Sequence, residues 1–350
     1  MNPRVTFVTG SRVVWGAEMS LLTIAKNLQM DSELLTSNVD LAGQWLDAVG
    51  TRARIVRASP GKVSRLVGFL PAIARTLSRA DVLVVFDYYL LPVLVVLWPL
   101  ARARGVFIVV DVHDSAARNP KRRFYFWLMG ICDRAIAVSD YIASQINYVS
   151  DKRTIYRPVV SPVSEQVRRG DLDGSALITV GIVGQVSPDK RVAEALEAIA
   201  EMGATVRVVL RGSSAAEHAG YRRRVTLLGQ QLFGDRFVDE GRVSTAETMS
   251  GLDILLLTNP DEPFGRVVAE AQLAGVLVVG PRLGGIGEII GANDTGFAFD
   301  DTAGIGTTLR GALSEVAKPT GRSESARRSA RAQFDPSARS MEYRDALIPS

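Results

Sequence analysis

Residues 255–280 read LLLTNPDEPFGRVVAEAQLAGVLVVG. The apolar run ending at Thr258 is too short for a helix of its own and predicts a buried strand. Asn259 to Gly265 follows as a turn, rich in the residues that punctuate loops. A helix is predicted from Arg266 to a stop at Gly275, and Val276–Val279 reads as the next buried strand. This strand–loop–helix–strand order puts a glycine at a helix N-terminus, where free amide groups point outward. Glu262 lies in the loop, and Glu270, two helical turns further on with seven residues between them, is expected to reach back toward the helix mouth. One carboxylate and a set of N–H groups converge on a crevice, with a second carboxylate nearby. That combination suits a ligand with sugar hydroxyls at one end and a phosphate between.

The same alternation extends in both directions. Strands are predicted at Arg4–Thr9, Glu33–Leu35, Arg54–Val56, Val82–Val85, Val106–Val110 and Arg134–Val138. Helices are predicted at Ala17–Gln29, at Val63–Ala80, over the segment to Arg104, and from Ser139. After a Pro-containing, charged linker over 161–174, a second run begins: strand Thr179–Val183, helix Asp189–Met202, strand Thr205–Arg211, helix Ala215–Leu232 and strand Phe237–Asp239. Beyond the central stretch come a late strand at Thr295–Phe299 and helices at Thr302–Ala317, Ser323–Phe334 and from Asp335 to near Leu347. Strands alternating with helices argue for doubly wound parallel sheets, which bind ligands outside the carboxyl ends of their strands. The expected class is α/β, with two Rossmann-like domains (1–160 and 175–335) facing a cleft and a C-terminal helix over 336–350 joining the first domain.

Composition agrees with a two-domain globular chain: 350 residues, 47% hydrophobic and 22% charged. The single cysteine, Cys132, cannot close an intrachain disulfide. The most apolar run, Tyr88 to Ala101, is shorter than a spanning helix needs and holds Pro92 and Pro99; it reads as part of a buried helix. With no leader-like opening, the expected location is the cytoplasm, with peripheral contact at the inner face of the membrane. Charge is uneven: residues 1–160 hold 20 Lys and Arg against 12 Asp and Glu, and residues 161–350 hold 21 against 25. A basic first half suits an anionic partner or is simply a solvated surface.

Several strand ends carry candidate chemistry. Gly10 to Glu18 joins a strand to a helix without the GxGxxG spacing of dinucleotide binders, and Gly16 would let a ligand approach the helix amides. His113 and Asp114 close the fifth strand; His113 is one of only two histidines, and His218 reads as a surface residue. Gly181 to Lys190 follows the second domain's first strand and ends in a lysine that offers a point charge to a phosphate. Gly284-Gly285-Ile286-Gly287-Glu288 reads as another strand-to-helix glycine loop. Arg118 to Trp127 mixes basic and aromatic side chains, which suits either a packed domain helix or an anionic membrane surface. No nucleic-acid-binding module or basic stripe is present.

EPFGRVVAEAQLAGVLVVGPRLGGIGEII, the loop with Lys190, the His113-Asp114 pair and GAEMSLLTIAKNL near the start occur in an order that resembles retaining glycosyltransferases of the GT-B fold, family 4 type. The resemblance covers essentially the whole chain, most specifically the Glu262/Glu270 segment. It implies a nucleoside-diphosphate sugar as donor, no obligate metal and no other cofactor. Glu262 would match the glutamate holding donor-sugar hydroxyls, Glu270 the one on the ribose, and Lys190 the diphosphate lysine. Phe264, Gly265, Arg266 and Val267 would line the donor through the backbone, Gly16 would lie near the phosphates, and Val243 near the base. His113 would face the reacting sugar, with Asp114 and Arg118 toward a glycan, lipid-linked or small-molecule acceptor.

The chain departs from that pattern at Gln185, five positions before the lysine, where family members usually carry arginine. A charge-assisted contact is roughly twice as strong as a neutral one, so the leaving diphosphate loses stabilisation unless Arg266, Arg211 or Arg12 supplies it. Two further readings therefore stand beside an enzyme: a non-catalytic GT-B-like protein that binds a nucleotide sugar or scaffolds an assembly, and a different GT-B activity such as an epimerase or a phosphorylase.

Overall fold

The computed structural model describes residues 3–57, 61–116, 120–160, 177–291 and 294–349. The chain divides into two compact units, Met1–Pro158 with Asp335–Ser350, and Val159–Phe334.

The first unit contains β1 (Val5–Thr9), α1 (Gly16–Asn27), β2 (Ser32–Thr36), α2 (Val39–Val49), β3 (Arg52–Ile55), α3 (Lys62–Thr76), β4 (Val82–Val85), α4 (Leu91–Ala103), β5 (Phe107–Val112), α5 (Pro120–Leu128), β6 (Arg134–Ala137), α6 (Asp140–Ala143) and β7 (Asp151–Thr154). Its seven strands run in the order β3-β2-β1-β4-β5-β6-β7, every pair parallel. β1 and β4 are buried along their whole length. That is why β4 is a continuous apolar run, VLVV; the threonines of β1 are buried too, Thr6 donating to Glu33 Oε1 at 3.0 Å.

The second unit contains β8 (Thr179–Val183), α7 (Val192–Glu201), β9 (Arg207–Arg211), α8 (Ala219–Phe233), β10 (Phe237–Gly241), β11 (Ile254–Leu256), α9 (Arg266–Ala274), β12 (Leu277–Pro281), α10 (Gly284–Gly291), β13 (Phe297–Phe299), α11 (Ile305–Ala317) and α12 (Arg322–Gln333). Its order is β10-β9-β8-β11-β12-β13, again all parallel. α13 (Pro336–Ala346) returns to the first unit. Asp335 caps it, its side chain accepting from Ala338 N at 2.8 Å, and Pro336 opens its first turn.

Strand order reverses between β1 and β4 in one unit and between β8 and β11 in the other. Such switch points leave a crevice beyond the strands' carboxyl ends, because the flanking helices lie on opposite faces. The loops after β8 and β11 are the stretches that hold Lys190 and Glu262.

Some expectations need correction. Residues 189–202 are not one helix. A 3-10 turn, Pro188–Lys190, is followed by Arg191 in the left-handed region (φ 51°), and only then does α7 start. The Gly284–Glu288 stretch is not a loop before a helix but α10 itself. Its glycines allow close approach: a Cβ on Gly285 would lie 2.5 Å from Pro263 O, and one on Gly284 2.9 Å from Glu262 O. The helix thereby packs directly under the Glu262 loop, with Gly285 N donating to Glu262 O at 2.8 Å. The apolar run at 88–101 is a 3-10 turn and α4, whose outer face is exposed at Val95, Val96 and Trp98. No described helix is long and apolar enough to cross a membrane. α2 and the polar edge strand β7 have no counterpart in the sequence reading.

Candidate functional site

In the second unit the loops after β8 and β11 meet through an ion pair. Lys190 Nζ lies 2.5 Å from Glu262 Oε2, with both side chains partly open to solvent. Asn259 Nδ2 donates to the same oxygen at 3.0 Å, and Asn259 Oδ1 accepts from Asp261 N. Thr258 Oγ1 donates to the carbonyls of both Lys190 and Arg191 at 2.9 Å. The carboxylate is thus held by a cation and by an amide, while the Glu262 backbone carbonyl rests on α10. A half-exposed pair in this setting is exchangeable, since a ligand with hydroxyls for Glu262 and negative charge for Lys190 replaces each partner in kind.

The helix that follows is set by its two ends. Gly265 (φ 86°) begins α9 and Gly275 (φ 79°) ends it, both in the left-handed region that favours glycine. Phe264 is buried against Phe334, ring centroids 5.7 Å apart, which fixes the peptide just before the helix amides. Val267 is half-buried. Glu270 does not reach openly toward the helix mouth. Its carboxylate is buried and closed by Arg266, whose Nε donates to Oε1 at 2.9 Å. Burial pushes this carboxyl above its ordinary range, against the pull of the Arg266 guanidinium.

Of the arginines expected to replace the missing charge at Gln185, Arg211 is already engaged. Its Nε pairs with Glu240 at 2.7 Å, and one terminal nitrogen donates to the carbonyls of Glu247, Thr248 and Ser250. It is a buried brace for the loop that carries the half-buried Val243. Gln185 itself is half-buried on the loop after β8. Arg191 was missed by the sequence reading. It is half-buried, adjacent to Lys190, and no side-chain partner for it is present among the described residues. A non-glycine residue at positive φ beside the candidate lysine is the signal that marks it, and only the backbone shows it.

The first unit holds Gly16, His113 and Asp114; Arg118 lies outside the described residues. Gly16 opens α1, and Glu18 already accepts from Trp15 N at 3.0 Å, placing a carboxylate at that helix N-terminus. His113 stacks on Phe86 (4.6 Å between centroids), and its Nδ1 lies 3.5 Å from Asp111 Oδ1. Burial disfavours its charge, but the Asp111 contact and the nearby Asp114 win and raise its pKa above the usual value. Asp111 is fully buried, pairs with Arg157 and accepts from Tyr343 Oη of α13 at 2.6 Å. Burial works against its charge as well, yet Arg157 holds the carboxyl below its normal range. Asp114 Oδ2 accepts from Tyr88 Oη at 3.1 Å and lies 3.7 Å from Arg122. Asp87, on the loop after β4, is pushed up by burial. Its carboxylate lies 3.2 Å from where a Cβ on Gly10 would stand, and Arg65 donates to Gly10 O at 3.1 Å.

Residues 172–326 match the family model described as glycosyl transferases group 1. Over 93 residues, 26% of the chain, it is 36% identical to the N-acetyl-alpha-D-glucosaminyl L-malate synthase of Bacillus anthracis. Over 219 residues, 53% of the chain, it is 28% identical to the D-inositol 3-phosphate glycosyltransferase of Rhodococcus opacus (strain B4). The matched stretches span 24% and 46% of those relatives' own lengths, so the chain covers less than half of either. In fold, it superposes on the Anabaena protein HepE, solved in complex with UDP-glucose. The TM-score is 0.83 over 99% of each chain, at 20% identity. The architecture is GT-B: two Rossmann-like units of seven and six parallel strands.

Proposed function

We propose that the chain, whose residues 172–326 match the glycosyl transferases group 1 family model, transfers a glycosyl unit from a nucleoside-diphosphate sugar to a hydroxyl-bearing acceptor, with retention of anomeric configuration. The observation that carries this reading is the exchangeable Lys190–Glu262 pair at the β8/β11 switch point. Glu262 accepts hydrogen bonds from donor-sugar hydroxyls, and Lys190 balances the diphosphate. The amides at the start of α9 face phosphate oxygens, and Glu270, released from Arg266, holds the ribose. Acceptor recognition falls to the first unit, around His113 and Asp114.

No nucleophilic side chain is assigned. The acceptor oxygen forms its bond to the anomeric carbon on the face that the diphosphate leaves. The bond from that carbon to the phosphate oxygen breaks, and the hydroxyl proton passes to a phosphate oxygen. Lys190 supplies charge to the leaving group in this scheme, so no bound metal is required of it.

Gln185 favours a second reading, a nucleotide-sugar-binding protein without turnover. A thermal-shift screen against UDP, GDP, ADP and their sugar conjugates, without added metal, tests the donor site. Ligand at about 100 times its dissociation constant stabilises the folded state by roughly 2.7 kcal/mol. A shift with one base supports the donor site, and none with any removes it. Release of nucleoside diphosphate that depends on acceptor, and that rises in Gln185→Arg, identifies a hindered transferase. A shift without turnover in either protein favours the binding role.

A further inference from the structure

The first unit carries an aromatic face that its own core does not use. On α5, Phe124 is 54% and Trp127 55% exposed, their rings 6.0 Å apart. On α4, which packs beside α5, Val95, Val96 and Trp98 are also exposed. The neighbouring rings behave differently. Phe126 is buried, and Tyr125 turns inward onto Tyr88 and Tyr89, with centroids 5.7 and 4.9 Å away. α5 is therefore a helix with one aromatic side in the core and the other in water.

Exposed arginines lie around this face. Arg123 is exposed beside Phe124, and Arg104 is exposed at the end of α4. Arg102 lies over the Trp98 ring at 5.2 Å and pairs with Asp133, whose second oxygen accepts from Ile108 N, so the adjacent acid is already occupied. The helix opens with Pro120-Lys121-Arg122-Arg123, in the half of the chain that has the excess of basic residues. Trp and Phe rimmed by arginine suit the boundary between headgroups and acyl chains, where rings enter the apolar layer and guanidinium groups stay at its charged surface.

We propose that the face formed by Trp98, Phe124 and Trp127 seats the first unit on an anionic lipid bilayer. α5 also links that face to the acceptor side. Arg122 donates to Ser115 O at 2.8 Å and lies beside Asp114, so the loop that follows β5 is braced by the membrane-facing helix. Where the glycosyl-transfer reading holds, on which this last step rests, the acceptor is lipid-linked and is met at the bilayer surface.

Co-sedimentation of the full chain with vesicles tests the proposal, using phosphatidylcholine alone and phosphatidylcholine mixed with phosphatidylglycerol. Binding is expected to the mixed vesicles only, weakening as salt rises and accompanied by a blue shift of tryptophan emission. Phe124→Ser and Trp127→Ser are surface changes. Each is expected to weaken binding about tenfold or more, from the apolar burial lost, while the nucleotide-induced thermal shift stays as in the parent. Absence of binding to anionic vesicles overturns the proposal, as does binding that both variants retain. Dimerisation in sedimentation velocity that is lost in the variants, without vesicle binding, assigns the face to a second copy instead. The thermal shift, read on the same samples, keeps failure of the donor site separate from failure of the membrane face.

Discussion

The two units are both built on parallel doubly wound sheets, yet Asp111 and Arg134 in one and Lys190 and Glu262 in the other are treated in opposite ways. In the first, Asp111 is wholly enclosed, with Arg157, Tyr343 and His113 around it. Arg134, also fully buried, pairs with Asp151 and donates to the carbonyls of Ala346 and Ile348. These groups hold α13 onto the sheet, and their desolvation leaves each dependent on its partner. In the second unit, Lys190 and Glu262 keep contact with water and sit on the loops after β8 and β11. Locked charges brace a fold; exchangeable ones are left free to take a new partner.

That contrast is most severely tested at Asp111. Asp111→Ala leaves Arg157 buried without its partner and is expected to cost about 3–5 kcal/mol in urea unfolding. A loss no larger than that of a surface substitution would break the comparison. Glu262→Ala should do the reverse, leaving stability within about 0.5 kcal/mol of the parent. Initial rates of transfer should fall roughly 10²–10³-fold, the scale of one preorganised polar contact at a transition state. Arg191→Gly separates strain from service. Relief of the left-handed backbone should raise stability by about 1 kcal/mol, while the nucleotide-induced shift shrinks because a charge beside Lys190 is gone. An undiminished shift would remove Arg191 from donor binding.

The smallest effect concerns pH. His113 has a raised folded-state pKa, so its stabilising contribution is complete below its unfolded value of about 6.5. The contribution is lost as pH rises through the higher folded value. Thermal stability measured from pH 6 to 8 should therefore decline, and His113→Gln should flatten that part of the profile.

Why some of this was legible beforehand follows from the range of the forces involved. The span Val82–Val85 was read residue for residue, because an all-apolar strand between loop signals needs no partner to be recognised. The boundaries of α9 were equally clear, since Gly265 and Gly275 act within their own turns. β7, with the sequence DKRT, was invisible: an edge strand of polar residues exists only because β6 is there to pair with it. α2 was missed although Asn38 caps it and Gly50 ends it. Its buried face, Leu41, Ala42 and Trp45, is short, and the surrounding residues do not repeat its period.

At the candidate site the division runs along the same line. The amino-acid sequence by itself determined the residue types and their spacing: Glu262 and Glu270 with seven residues between them across a loop and a helix, Lys190 after an earlier strand, and glutamine at 185. Tertiary structure alone decided which of these groups meet. Lys190 found Glu262 across 72 residues of chain, Arg266 closed over Glu270, and Arg211 turned to brace a loop. Pairings of this kind are set by the order of strands in the sheet and by how deeply each charge is buried. Neither quantity is local, so no reading of neighbouring residues contains it.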